Sequence, residues 1–148
     1  MKNAVDVLTG NRILNVTILA FFVAQGLKVI LTLIQEKRFN PERLFGSGGM
    51  PSAHSATTCA LAVSVAKVMG TASPEFAIAA VFACIVMYDA SNVRRAAGEQ
   101  ARILNYIMDH WHDTEPELFK ANLKELLGHT PLQVFCGAVL GIGLALVI

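Results

Sequence analysis

The run ILNVTILAFFVAQGLKVILTLI, from Ile13 to Ile34, decides the class of this protein. A bilayer core of about 30 Å takes roughly 20 apolar residues in a helix, and this run is long enough. It follows a polar, mixed-charge start and stops at Gln35-Glu36-Lys37-Arg38. A signal peptide has a shorter apolar core and a small-residue cleavage site. No such site stands out before Gln35, so the run reads as a retained membrane span.

Composition agrees. Of the 148 residues, 54% are hydrophobic and only 16% charged, and mean hydropathy is +0.52. Soluble domains carry about 25% charged residues. The length suits one domain, residues 1–148. A net charge of +1 makes no electrostatic case for nucleic acid. Cys59, Cys84 and Cys136 sit in apolar stretches without metal-ligand spacing and read as small hydrophobes.

Outward from the first run, three more stretches read as spans: 53–69, 72–88 and 131–148. Residues 53–69 and 72–88 are short and rich in small residues, which suits packing against other helices. Gly70-Thr71-Ala72-Ser73 would turn a tight hairpin between them. Residues 35–52 contain Asn40-Pro41 and Gly46-Ser47-Gly48-Gly49 and read as a loop. Residues 89–129 read as two amphipathic helices around the acidic turn Asp113-Thr114-Glu115. One carries Ile103, Leu104, Ile107, Met108 and Trp111. The other carries Leu118, Phe119, Leu123, Leu126 and Leu127, from Pro116 to Gly128. They would lie at the membrane interface or pack on the bundle or a partner. The expected fold is all-α: a polytopic bundle of about four transmembrane helices plus two amphipathic ones. Both polar regions then share one face, with Lys37, Arg38, Arg43, Arg94, Arg95, Arg102, Lys120 and Lys124. The other face has Lys2 and Arg12, with Lys67 near its edge. The positive-inside rule puts the polar regions in the cytoplasm.

Those regions hold the residues that carry chemistry. In Gly46-Ser47-Gly48-Gly49-Met50-Pro51-Ser52-Ala53-His54-Ser55, a glycine-rich loop enters a helix. Gly48 and Gly49 would let the backbone approach an anion, with free helix N-terminal amides pointing at it. Ser52 would donate a hydrogen bond and His54 would exchange a proton. The bland alternative is a flexible loop with an N-cap serine. Arg94 and Arg95 offer forked donors matched to phosphate, or anchor the helix to lipid head groups. Asp89 is an acid at a membrane boundary, costly there unless paired. His129, at the start of the last stretch, falls at the depth of His54. Two imidazoles beside serine and arginines fit phosphoryl transfer, one attacking phosphorus and the other protonating the leaving oxygen. Lys28 lies inside the first run, where it either binds phosphate, pairs with Asp89 or snorkels to the surface. His110 and His112 read as surface residues.

At these residues the chain resembles the divergent PAP2 family, membrane proteins related to phosphatidic acid phosphatases and vanadium haloperoxidases. The resemblance covers Ala24-Gln25-Gly26-Leu27-Lys28, Gly48 to Ala56, Tyr88 to Ala101 and Leu123 to Gly141. It implies a reduced PAP2-like bundle. Pro51-Ser52-Ala53-His54 is similar to the Pro-Ser-Gly-His motif of PAP2 enzymes, implying that Ser52 binds phosphate and His54 is the general acid. Gly128-His129-Thr130-Pro131 resembles the motif of the nucleophilic histidine, but Gln133 stands where that motif has an orienting Asp. Asn122-Leu123 replaces its Ser-Arg. The motif of Lys, six residues and Arg-Pro is absent in that form, leaving Lys28, Arg38 or Arg43 as its replacement, and Arg94 and Arg95 as replacements for the missing arginine. PAP2 enzymes have about six core helices, so a homodimer or the amphipathic helices would supply missing walls.

The expected activity is metal-independent hydrolysis of a lipid phosphate or diphosphate, with no cofactor. His129 is the nucleophile and His54 the acid. Asp89 orients a histidine, and Ser52, Gly48, Gly49, Lys28, Arg94 and Arg95 hold phosphate. The partners are membrane lipid and a phosphorylated lipid. Two rival readings are a non-catalytic lipid-phosphate binding or transport protein, and a structural membrane subunit.

Overall fold

In the computed structural model, residues 9–37, 49–110 and 128–148 are described, and among them every regular element is helical. Helix α1 spans Arg12–Glu36. The Asn11 side chain caps its start by accepting from the Leu14 N–H, and Lys37 ends it in a left-handed conformation. One line of α1, Val16, Ala20, Ala24, Lys28 and Thr32, is buried at steps of four residues. Phe22, Ile30 and Ile34 point outward, and Ile34 is 67% exposed. Small and polar groups inside with large apolar groups outside inverts the water-soluble pattern and suits a lipid surround.

Helix α2, Ala53–Met69, is the central rod and packs on α1, on the helix after it and on the last helix. Its buried side chains are small: Ala53, Ser55, Ala56, Cys59, Ala60 and Ser64 among them. Its bounds coincide with the stretch read from the sequence. Helix α3, Pro74–Tyr88, begins where the Ser73 hydroxyl accepts from the Phe76 N–H, with Pro74 in the first turn. Only Ala79 and Ala83 of α3 are buried, while Ile78 is 70% exposed.

A turn of π-helix, Asp89–Val93, leads from α3 straight into α4, Arg94–His110. The third stretch and the first amphipathic segment are therefore one rod, of which Pro74–Met108 is 35 residues. The polar Asp89-Ala90-Ser91-Asn92 does not break it, because Ser91 and Asn92 return their side chains to the carbonyls of Met87 and Tyr88. The apolar stripe of α4 stays on the surface, with Ile103, Leu104 and Ile107 exposed, while Gly98, Ala101 and Asn105 are buried. The second amphipathic segment lies outside the described residues apart from Gly128.

Helix α5, Pro131–Val147, starts at a capping box: Thr130 accepts from the Gln133 N–H, and Gln133 Oε1 accepts from the Thr130 N–H. Gly137 and Gly141 face α2 so closely that a Cβ would strike the carbonyl oxygens of Ser52 and Ala56. Without a hydrophobic force between helices in lipid, such backbone contact supplies the packing energy. The Ser52–Gly137 and Ala56–Gly141 contacts run in register, so α2 and α5 are parallel and begin at the same end of the bundle. Among the described residues, two helices are long and apolar enough to cross a membrane, Arg12–Ile34 and Pro74–Met108.

Candidate functional site

Two helix N-termini meet where α2 and α5 begin. Together they bring uncommitted amides and the positive ends of two dipoles to one place. Ser52 is fully buried as the cap of α2. Its Oγ accepts from the Ser55 N–H at 3.3 Å and from the Ser55 hydroxyl at 3.0 Å. Its own N–H donates to the Gln133 carbonyl at 3.0 Å, which ties the two helix starts together. Those bonds use the acceptor capacity of Ser52 Oγ and leave its proton as the group to offer a ligand.

His129 precedes α5 and is 2% exposed. Its N–H donates to the Ala90 carbonyl in the π turn at 2.9 Å. Gly128, at φ +114°, lies against the Arg94–Arg95 backbone, where a Cβ would come within 2.8 Å of Arg94 C. Only glycine meets both demands. The ring Nδ1 of His129 is 3.2 Å from Gln133 Oε1. That Gln133 atom must be the oxygen, because it also takes the Thr130 N–H, which can only donate. Nδ1 therefore carries the proton. Nε2 keeps its lone pair and is buried, with no hydrogen-bond partner among the described residues. Burial pushes the His129 pKa below its usual 6.5; Gln133 opposes this, Lys28 and His54 reinforce it, and the Gly49 carbonyl opposes it. The ring is neutral at pH 7.

His54, in the first turn of α2, stands beside it, with ring centroids 6.3 Å apart and planes at 60°. Lys28 comes up from α1 and is 2% exposed. Its stem lies under Gly49, where a Cβ would sit 3.2 Å from Lys28 Cγ, and Gly49 has φ +86°. Lys28 is near enough to act electrostatically on both histidines, and Arg94 and Asp89 act on His54. Asp89 was expected to orient a histidine; instead its carboxylate accepts from Arg94 Nε at 2.7 Å. The π turn causes this by placing residues five apart over one another. Arg95 pairs with Glu99 at 3.2 Å on an exposed face.

The structure thus gathers Ser52, Gly49, Lys28, His54 and His129, sets Asp89 and Arg94 at their edge, and turns Arg95 outward. Gly48 lies outside the described residues. Among the described residues no three His, Cys, Asp or Glu side chains come together as metal ligands. Sequence reading missed three contributors. The Thr130-x-x-Gln133 pattern is a capping-box signature, and Gly137-x-x-x-Gly141 signals close helix contact. Ser55 had no signal beyond its place after His54.

A helical membrane protein with paired histidines at converging helix N-termini is the class that fold and site define. The chain belongs to the divergent PAP2 family, whose pattern matches residues 9–144. It is 41% identical over 140 residues to YuiD of Bacillus subtilis (strain 168), an uncharacterized membrane protein, with 87% of this chain and 88% of that one aligned. No solved structure matches the chain.

Proposed function

We propose that this protein hydrolyses the phosphate or diphosphate of a membrane lipid through a phosphohistidine intermediate. The observation that carries the reading is the buried Nε2 of His129, which has no hydrogen-bond partner among the described residues and whose tautomer is set by Gln133 and Thr130. Nε2 forms a bond to phosphorus as the P–O bond to the leaving group breaks. His54, protonated, gives that oxygen its proton. A water then attacks the phosphohistidine, losing its proton to His54 and releasing phosphate from Nε2. Lys28, Arg94, the Ser52 hydroxyl and the amides of the two helix starts hold the phosphoryl oxygens as charge spreads onto them. The substrate is a lipid because apolar surface surrounds the site. In this reading α1, α2, α3 and α5 all cross the bilayer, α4 leaves it as an amphipathic helix, and a second such helix follows. The polar regions and the site face the cytoplasm, and a second copy of the chain supplies walls that the short bundle lacks.

Gln133 favours a second reading. A neutral amide orients the imidazole but cannot stabilise imidazolium as a carboxylate does, and Asp89 is engaged by Arg94. The same cradle would then bind a lipid phosphate without turning it over. The deciding experiment assays phosphate release by purified protein from a panel of lipid phosphates and diphosphates, beside His129→Ala. The hydrolase reading expects turnover that the substitution abolishes. A folded protein that binds vanadate or lipid phosphate yet releases nothing leaves the binding reading.

A further inference from the structure

Where α2 and α3 pack, below the histidine cluster, three sulfurs come together. Cys59 of α2 is buried, and its Sγ lies 3.7 Å from Met87 Sδ of α3. Cys84 stands one turn before Met87, so both side chains leave the same face of α3. It is near enough to act electrostatically on Cys59. The two cysteines are far apart in sequence, and the turn between α2 and α3 makes them neighbours. Cys59 lies seven residues along α2 from Ser52, hence about 10 Å deeper. The cluster is a separate place from the imidazoles and uses none of the groups that hold phosphate.

The chemistry of the three atoms is uniform. Thiolate and thioether are soft donors, the kind that select Cu(I). Zinc draws on Cys, His and carboxylate, and not on Met. Geometry fits a shared ion. With metal–sulfur bonds of about 2.3 Å, two sulfurs 3.7 Å apart subtend about 107° at the metal. That is close to the tetrahedral angle and far from linear, so it leaves room for a third sulfur. Access fits as well. Cys84 is exposed and Cys59 buried, so an ion can enter from the flank of α3 and reach the inner pair. Charge balances too. As the ion binds, the Cys59 S–H bond breaks, the proton leaves to water and a sulfur–metal bond forms, with no change of oxidation state. One proton exchanged for one monovalent cation keeps the cluster neutral, which an apolar surround demands.

We propose that Cys59, Met87 and Cys84 form a binding site for a soft monovalent metal cation of the Cu(I) class. Cys59 is the anionic ligand, Met87 the neutral one, and Cys84 closes the site from the open side. The site holds whether or not the histidine cluster turns over phosphate.

The probe is Ag(I), a redox-inert ion of that class. It is added to the full chain in detergent with excess glutathione as competitor, and the adduct is read by native mass spectrometry. Every variant also carries Cys136→Ser, so the cysteine of α5 adds no thiol. The expected result is one Ag(I) per chain. Its retention against glutathione falls more than a hundredfold in Cys59→Ser and about tenfold in Met87→Leu and in Cys84→Ser. Zn(II) gives no such adduct. Should Cys59→Ser not fold, Met87→Leu carries the test, because it exchanges side chains of nearly equal volume. Retention unchanged in Met87→Leu overturns the proposal and leaves thiols that react singly. Zn(II) retained as well as Ag(I) overturns the soft-ion assignment. An equal loss in His129→Ala overturns the separation from the histidine cluster.

Discussion

Lys28 and Lys67 mark the two ends of one bundle, and they do different things. Lys28 is buried beneath Gly49 within reach of two histidines. Lys67 is exposed and gives its ammonium to carbonyls of α5. The polarity of the parallel pair α2 and α5 accounts for the contrast. At the Lys28 end both helices present N–H groups, so cations there add to a field that attracts anions. At the Lys67 end both present carbonyls, so part of each cation is spent on the protein itself. The direction of the neighbouring helices, more than the presence of a charge, separates the surroundings of the two lysines.

Substitutions can break that contrast. After His129→Ala, the largest effect is expected at His54: in His54→Ala, phosphate release falls about 10²- to 10⁴-fold, the range for losing a general acid. A smaller loss would show that the leaving group departs without it. Lys28→Met should weaken vanadate or phosphate binding about tenfold to a hundredfold, the equivalent of a charge-assisted bond of about 1.5–3 kcal/mol. Lys67→Met should leave binding at the histidine end unchanged, and equal losses from both would erase the distinction between the ends.

Stability measurements sharpen it further. Gly141→Ala forces α5 off the Ala56 backbone and should cost about 1–3 kcal/mol in chemical denaturation. It should also lower activity, because the same seam carries the Ser52–Gln133 bond. Because the folded pKa of His129 lies below its unfolded value, the unfolded chain takes up the proton first as pH falls through about 6.5. Stability contributed by neutral His129 is thus full above that pH and is lost as pH drops toward the folded value. Melting followed from pH 7 to 5 should show this decline, and His129→Gln should flatten it. The smallest effect is expected from Gln133→Glu, which keeps the shape and adds a charge. It should move the acid limb of the activity profile to higher pH, with a change in maximal rate within about tenfold.

Much of this was readable from residue order. α2 came out to the residue because Ser52 and Gly70 punctuate it and nothing polar and charged interrupts before Lys67. Ser52, His54, His129 and Lys28 could be named because each polar group stands at an apolar boundary where lipid makes it expensive. The continuity of α3 and α4 was hidden, since Asp89-Ala90-Ser91-Asn92 has the composition of a turn, and only side-chain returns to Met87 and Tyr88 keep it helical. The partner of Asp89 was hidden for the same reason. Helical spacing pairs residues three or four apart, whereas a π turn pairs those five apart. The tautomer of His129 needed geometry, because only the distance from Gln133 Oε1 to both Thr130 N and the ring settles which atom faces which.

The 35-residue rod from Pro74 to Met108 measures about 52 Å, against a hydrocarbon thickness of about 30 Å. If the rod crosses as proposed, some 20 Å of it extends beyond the lipid, and its π turn is the crank pin. Ala90 at that pin holds the His129 amide, Arg94 follows on the same turn, and Gly128 is wedged on the backbone just beyond. A twist applied to the extending part would move the guanidinium first and reach the imidazole and Ser52 together, because Gln133 holds the His129 ring and its carbonyl takes the Ser52 N–H. The rod and the two helix starts are thus linked through His129.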